Sequence, residues 1–387
     1  MRHVWTLTLA QALAACSSIT LVTFGGIVGT YMAPTPALAT LPLSMSIVGL
    51  AAMSLPAALL MQRVGRRPAF IGSALIAALA ALLCAYAILL NEFTLFCFAG
   101  FFIGGNMAFV QQYRFAAIEF VDSSEAGRAA STVMIGTLIA AFVGPTLGGA
   151  VSDIGDWPKY TFSFVVLAGL CFGAALVLTR LPATSVMKKE RLATSSRSLK
   201  ELMSRPTFRL AVLAGLSSYA VMSFIMTATP LSMHVHDGFS TGETTAVITG
   251  HLFGMYLPSL ATPWFVSKLG VRGMMLTGVA INIVCIVICA FVGRHFFHYF
   301  SALLLLGVGW NLLFVGATTL LSSTYSDSER FKAQGFNDFM VFGSQALASL
   351  SAGVAIETLG WETLNLVTLP LLVLVLWSMR GAVIPQR

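Results

Sequence analysis

Apolar runs long enough to cross a bilayer recur along this 387-residue chain, and they leave room for few folds other than a helical membrane bundle. A span needs roughly 20 apolar residues, and its backbone polar groups must be satisfied internally. Twelve runs qualify, at about 5–32, 38–60, 69–90, 94–118, 129–152, 159–181, 208–231, 243–266, 273–294, 297–321, 333–355 and 362–380. No ten-residue alternation points to a barrel. With 57% hydrophobic and 10% charged residues and a mean hydropathy of +0.86, a soluble domain is excluded. The predicted fold class is an all-α membrane protein of twelve transmembrane helices in two six-helix bundles.

Basic residues fix the expected orientation. If both termini are cytoplasmic, 19 of the 22 Lys and Arg fall on the cytoplasmic side, only Lys159 and Arg294 fall outside, and Arg114 lies within a span. The net charge of +7 therefore reports topology and contact with anionic lipid rather than nucleic acid. The start of the chain, ending Leu13-Ala14-Ala15-Cys16, superficially fits a lipoprotein cleavage box. Its apolar character runs on through Gly29, so a retained first span is expected. All six cysteines (Cys16, Cys84, Cys97, Cys171, Cys285, Cys289) fall in spans and are expected to be reduced packing residues.

The one long polar segment separates two halves, giving expected bundles at 1–181 and 206–387 joined by a cytoplasmic linker at 182–205, with Ser198 to Met203 as a short helix. The halves repeat. The loop Gln62-Arg63-Val64-Gly65-Arg66-Arg67 matches Ser267-Lys268-Leu269-Gly270-Val271-Arg272, and Glu125, Arg128 and Ala129 recur as Glu329, Lys332 and Ala333 at an offset of 204. Such symmetry implies alternating access about a site near the midplane. No phosphate-binding Gly-x-x-x-x-Gly-Lys-Ser/Thr loop and no His-Glu-x-x-His are present, so neither an ATP-driven pump nor that class of metalloenzyme is expected.

These features resemble the major facilitator superfamily over the whole chain. Arg63, Gly65, Arg66 and Arg67 match its cytoplasmic loop motif, which implies a conformational role. Ala58 replaces the motif's glycine and Gln62 its aspartate, which leaves the family's inter-helix charge lock without its acid at this position. In the fifth span Gly144, Pro145, Gly148 and Gly149 fit the Gly-Pro-x-x-Gly-Gly core of the antiporter motif, with Ala140 where an earlier glycine is usual. Small residues there let helices approach closely.

Met222/Met226 and His251/Met255, each at i, i+4, supply thioether and imidazole donors suited to Cu(I), and Met233 extends the first stripe. His234, His236 and Asp237 lie just beyond it as an external capture set. The expected path is ligand exchange along these groups. The paired motifs, with Thr229-Pro230-Leu231-Ser232-Met233, Gly309-Trp310-Asn311 and Gln334-Gly335-Phe336-Asn337-Asp338-Phe339, resemble the CcoA-like copper importers of the superfamily. That resemblance implies copper uptake across a bacterial inner membrane for haem-copper oxidase assembly, by a monomer without a cofactor. The same subfamily includes riboflavin transporters.

The alternative cargo is thus riboflavin or another small polar organic solute. Gln11, Asn106, Gln111 and Asn311 supply intramembrane amides for a polar ring system, with Gln112, Asn337 and Gln345 beside them, and Trp310, Tyr113 and Phe314 could stack on it. The same amides could equally be glue between helices. Arg114, Glu119 and Asp338 are the remaining charges in or near spans. Arg114 is expected to pair with Glu119 or Asp338, as a latch or as a coupling site.

Overall fold

The computed structural model describes residues 1–35, 38, 41–182 and 197–382. Fourteen α-helices are found among the described residues. The first half holds α1 (Arg2–Met32), α2 (Leu41–Val64), α3 (Arg66–Leu90), α4 (Phe93–Val110), the short α5 (Tyr113–Ile118), α6 (Ala126–Ala150) and α7 (Thr161–Leu178). The second holds α8 (Leu199–Ser204), α9 (Pro206–Pro230), α10 (Thr241–Tyr256), α11 (Thr262–Val287), α12 (Phe296–Ser322), α13 (Arg330–Leu366) and α14 (Leu369–Gly381).

Ten stretches among the described residues are long and apolar enough to cross a membrane, against twelve expected. Local backbone chemistry explains the difference. The eighth run breaks where Pro258 brings no N–H to the ladder: α10 stops at 16 residues and a 3-10 turn, Leu257–Ala261, leads into α11. The eleventh and twelfth runs form one 52-residue stretch, Arg330–Gly381, in which two helices meet at Gly360 (φ 73°).

Gly360 also exposes the duplication. Gly65 (φ 90°) and Gly270 (φ 65°) lie 205 residues apart, as do Gly155 (φ 75°) and Gly360 (φ 73°). Each occupies the left-handed region that costs an L side chain about 1–2 kcal/mol. The repeated loop glycine is therefore a backbone requirement in both halves. The short helix of the linker is α8, one residue beyond its expected start. Ser198 caps it by accepting from Glu201 N at 3.2 Å, and Glu201 returns the bond to Ser198 N.

The described residues cluster into two compact units. Unit 1 comprises Met1–Val121, Thr132–Ser195 and Gln334–Phe339; unit 2 comprises Asp122–Ser131, Ser196–Ala333 and Met340–Arg387. The first turns of α6 are thus grouped with unit 2, and one and a half turns of α13 with unit 1.

In unit 1, α1, α3, α4 and α7 share a core of Leu21, Phe24, Ala81, Phe96, Ile103 and Phe164. Lipid tails are as apolar as these side chains, so close packing holds the helices together here. At the α2–α4 crossing a Cβ on Gly104 would lie 1.8 Å from Ser46 O. The antiporter-type glycines act in the same way, Gly144 lying against Cys16 and Thr20 of α1 and Gly148 against Phe24. In unit 2, Tyr219, Trp310, Phe314 and Phe342 form a buried aromatic cluster. All six cysteines are buried and free.

Candidate functional site

Unit 1 carries the charges expected to latch or couple. Arg66 is buried at the start of α3, where Gly65 delivers the chain. Its Nε donates to Glu119 Oε2 at 3.0 Å, and its Nη2 donates to Glu119 Oε1 at 2.6 Å and to Gln334 Oε1 at 2.7 Å. The carboxylate missing from the loop motif at Gln62 is therefore supplied from the end of α5. Arg63 is exposed and Arg67 half-buried beside it.

Glu119 belongs to Arg66, and Arg114 pairs with Asp338. Arg114 Nη2 donates to Asp338 Oδ1 at 2.5 Å, with side chains only 3% and 1% exposed. Gln112 Nε2 donates to Asp338 Oδ2 at 2.6 Å and Asn337 Nδ2 to Oδ1 at 3.0 Å. Gln111, expected to face an organic solute, instead accepts from Arg114 Nη1 at 2.9 Å. A buried carboxylate with three donors is the arrangement that makes ionisation tolerable in a low-dielectric interior.

In unit 2 the methionines and the histidine are distributed as follows. Met222 is buried and Met226 half-buried on α9, and Met233 is buried in the π-helical turn Leu231–His236 that follows Pro230. His251 is fully buried on α10, turned toward α12, where its Nδ1 donates to Leu303 O at 2.8 Å. Its Nε2 is buried with no partner among the described residues. Met255 lies buried one turn on, where its backbone N would sit 2.6 Å from a Cβ on Gly307.

The donors expected to converge on one cation thus lie on two helices that share a neighbour. Both α9 and α10 pack on α12, whereas no broad α9–α10 interface is found among the described residues. No group of three His, Cys, Asp or Glu able to hold a metal ion occurs among the described residues either.

Two of the three residues expected to capture a cation are engaged with other side chains. Asp237 accepts from Tyr299 Oη at 2.7 Å and faces Arg294 Nε at 3.3 Å. His236 Nε2 lies 3.3 Å from Glu357 Oε1. The side chain of His234 lies outside the described residues.

The amides divide into glue and orphans. Asn311 Nδ2 donates to Met255 O at 2.6 Å and to Ser259 Oγ at 2.8 Å, capping α10 where it breaks before Pro258. Gln11 Nε2 donates to Thr137 Oγ1 at 2.8 Å, leaving Oε1 buried and unpartnered. Among the described residues Asn106 has both amide atoms buried without a partner, and Trp310 Nε1 is unpartnered within its aromatic cluster. A buried polar group left unpaired costs about 1–3 kcal/mol, so each of these atoms has capacity for a further hydrogen bond. Asn282 on α11 was not singled out from the sequence. It is buried with both amide atoms unpartnered among the described residues, and Gly309 makes room for it. An asparagine within a long apolar run was the signal.

Comparison with known proteins bears on this geometry. The Major Facilitator Superfamily profile matches residues 7–257 and again 211–385. The riboflavin transporter RfnT of Brucella anthropi is 39% identical over 376 residues, 97% of this chain and 94% of that protein. The uncharacterised transporter YdeG of Bacillus subtilis is 26% identical, covering 97% of this chain and 92% of its own length. Among solved structures, the E. coli fucose:proton symporter FucP superposes with a TM-score of 0.75 at 16% identity, covering 98% of this chain and 97% of its own, which speaks to fold alone.

Proposed function

The chain belongs to the Major Facilitator Superfamily and is a multi-pass membrane transporter rather than an enzyme, and from that premise we propose that its cargo is riboflavin or a close polar-ring relative. The observation that carries this is the 39% identity with a riboflavin transporter across nearly the full length of both chains. The orphaned amides supply a physical counterpart. An isoalloxazine ring presents carbonyls and an imide N–H, and it is recognised by fixed donors and acceptors at membrane depth. Copper, implied by the resemblance to CcoA-like importers, has less support. Asp237 and His236 of the expected capture set have other partners.

In this proposal the protein works by alternating access in a bacterial inner membrane with both termini cytoplasmic. The Arg66–Glu119 and Arg114–Asp338 pairs act as latches that must yield for the cycle to proceed. Labelled riboflavin and radiocopper should be offered in parallel to a riboflavin-auxotrophic host expressing the protein. Riboflavin accumulation above the empty-vector control is expected; copper accumulation alone would reverse the choice of cargo.

A further inference from the structure

We propose that residues 231–238 form a lid at the outer end of α9, hinged at Pro230 and Gly238 and pinned shut by a ring of hydrogen bonds that closes through Tyr299. The outward orientation and the cargo are those proposed above. All of these residues belong to unit 2. Two weak points frame the segment. Pro230 brings no N–H to the ladder of α9, and the backbone beyond it widens into the π-helical turn Leu231–His236, after which Asp237 N reaches back to Ser232 O at 3.0 Å. Gly238 then turns the chain at φ 71° with open space around it, and Ser240 starts α10 with a capping box to Glu243. A loosely laddered piece thus sits between two regular helices, which is where backbone rotation concentrates.

One hydroxyl holds that piece down. Tyr299 lies in the first turn of α12 and is buried. Its Oη donates to Asp237 Oδ2 at 2.7 Å, which uses its single proton, so in the 2.6 Å contact with Ser232 Oγ the serine is the donor. Ser232 Oγ accepts in turn from Arg294 Nη2 at 3.2 Å, and Arg294 Nε faces Asp237 Oδ2 at 3.3 Å, which completes the circuit. Removing the phenol hydroxyl therefore frees both lid residues at once. With the ring closed, Ser232 and Met233 are each 0% exposed.

The pin is polar and the pivots are backbone, which suits a segment with two positions. A hydrogen-bonded ring is made or broken largely as a unit, because its members polarise one another. Arg294 has a second carboxylate in reach, Glu362 Oε1 at 3.6 Å, so its charge keeps a partner when Asp237 leaves with the lid. Packing guides the return. The Tyr299 ring meets Phe239 at 5.9 Å and Trp361 at 5.1 Å, contacts that do not depend on its hydroxyl.

The test compares the full chain carrying Met233→Cys, with and without Tyr299→Phe, in intact cells treated from outside with a membrane-impermeant maleimide. Phenylalanine keeps the packing of the ring and removes both pins. Labelling at position 233, above the background of the six buried native cysteines, is expected to rise about 10- to 100-fold, the factor for two hydrogen bonds. In proteoliposomes, Tyr299→Phe alone should speed riboflavin counterflow about threefold or more, since lid opening commonly limits turnover. Should Tyr299→Phe fail to fold, Ser232→Ala cuts one pin and is expected to raise labelling about fivefold. A folded variant whose labelling stays within about twofold of its Met233→Cys parent, or whose counterflow does not rise, would overturn the lid. A passive brace, when cut, lowers thermal stability and moves neither readout. A wild type without riboflavin counterflow refutes the cargo reading, and the labelling alone then decides the lid.

Discussion

Removing Arg114 or Asp338 singly should damage the protein far more than removing both. Their ion pair at 2.5 Å is enclosed, with 3% and 1% of the side chains exposed. At an effective dielectric of about 20 and a charge separation of about 4 Å, the attraction is roughly 4 kcal/mol. Desolvating each ion costs several kcal/mol, so the intact pair is close to neutral against an apolar replacement. A lone survivor is not. Arg114→Met leaves the carboxylate with Gln112 and Asn337 as its remaining donors among the described residues, and Asp338→Leu takes the buried guanidinium's carboxylate away. Each single change is expected to cost about 3–5 kcal/mol. The double variant should lie within about 2 kcal/mol of wild type, giving a coupling energy of at least about 4 kcal/mol. Unfolding of the four proteins in mixed lipid–detergent micelles measures this cycle. A double variant whose loss equals the sum of the two singles would refute the enclosed-pair account.

The linker should be anchored through Glu329, whose side chain is 1% exposed and accepts from Arg197 Nε at 2.6 Å and Arg197 N at 2.9 Å. The Arg197 guanidinium is the main reason its carboxyl is held down at about 2. A depressed folded pKa means the anchor's stabilisation is complete above the ordinary carboxylate range and fades as pH falls from there toward 2. Glu329→Gln at neutral pH should accordingly speed hydrogen exchange at the Arg197 amide about tenfold, and unchanged protection would count against the anchor. At the α2–α4 crossing, Gly104→Ala should cut folded yield severely, because its Cβ falls 1.8 Å from Ser46 O, while Gly169→Ala, with nothing within 4 Å, should be neutral in the same fluorescence size-exclusion assay. Asn311→Leu should lower thermal stability by about 1–3 kcal/mol through the uncapped Met255 carbonyl, with riboflavin affinity unchanged in the folded fraction. A selective loss of affinity would move Asn311 from glue to site.

The helical membrane architecture was readable because hydrophobic run length and the bias of Lys and Arg are one-dimensional properties. The breaks were less so. Pro258 lay inside a continuous apolar run, and nothing local distinguished it from the proline tolerated within α2 at Pro56. The charge pairs show a second limit. A buried Arg114 called for a partner, but only the fold assigns Asp338 to it and Glu119 to Arg66 across 53 residues of chain. The Met/His motif shows a third. Spacing of i, i+4 places two donors on one helix face, yet it is silent on which neighbour that face meets, and for His251 the neighbour is α12. Asn311 and Asn106 looked alike as intramembrane amides. Only the tertiary structure separates the amide that caps a helix from the one whose atoms stay unpaired.

Counterflow of labelled riboflavin in proteoliposomes containing only the purified protein tests the central claim most directly. Vesicles preloaded with unlabelled riboflavin should draw in labelled riboflavin above the level of protein-free vesicles, and external copper should not substitute for it. Labelled riboflavin that stays outside, while radiocopper exchanges across the same membrane, would contradict the account.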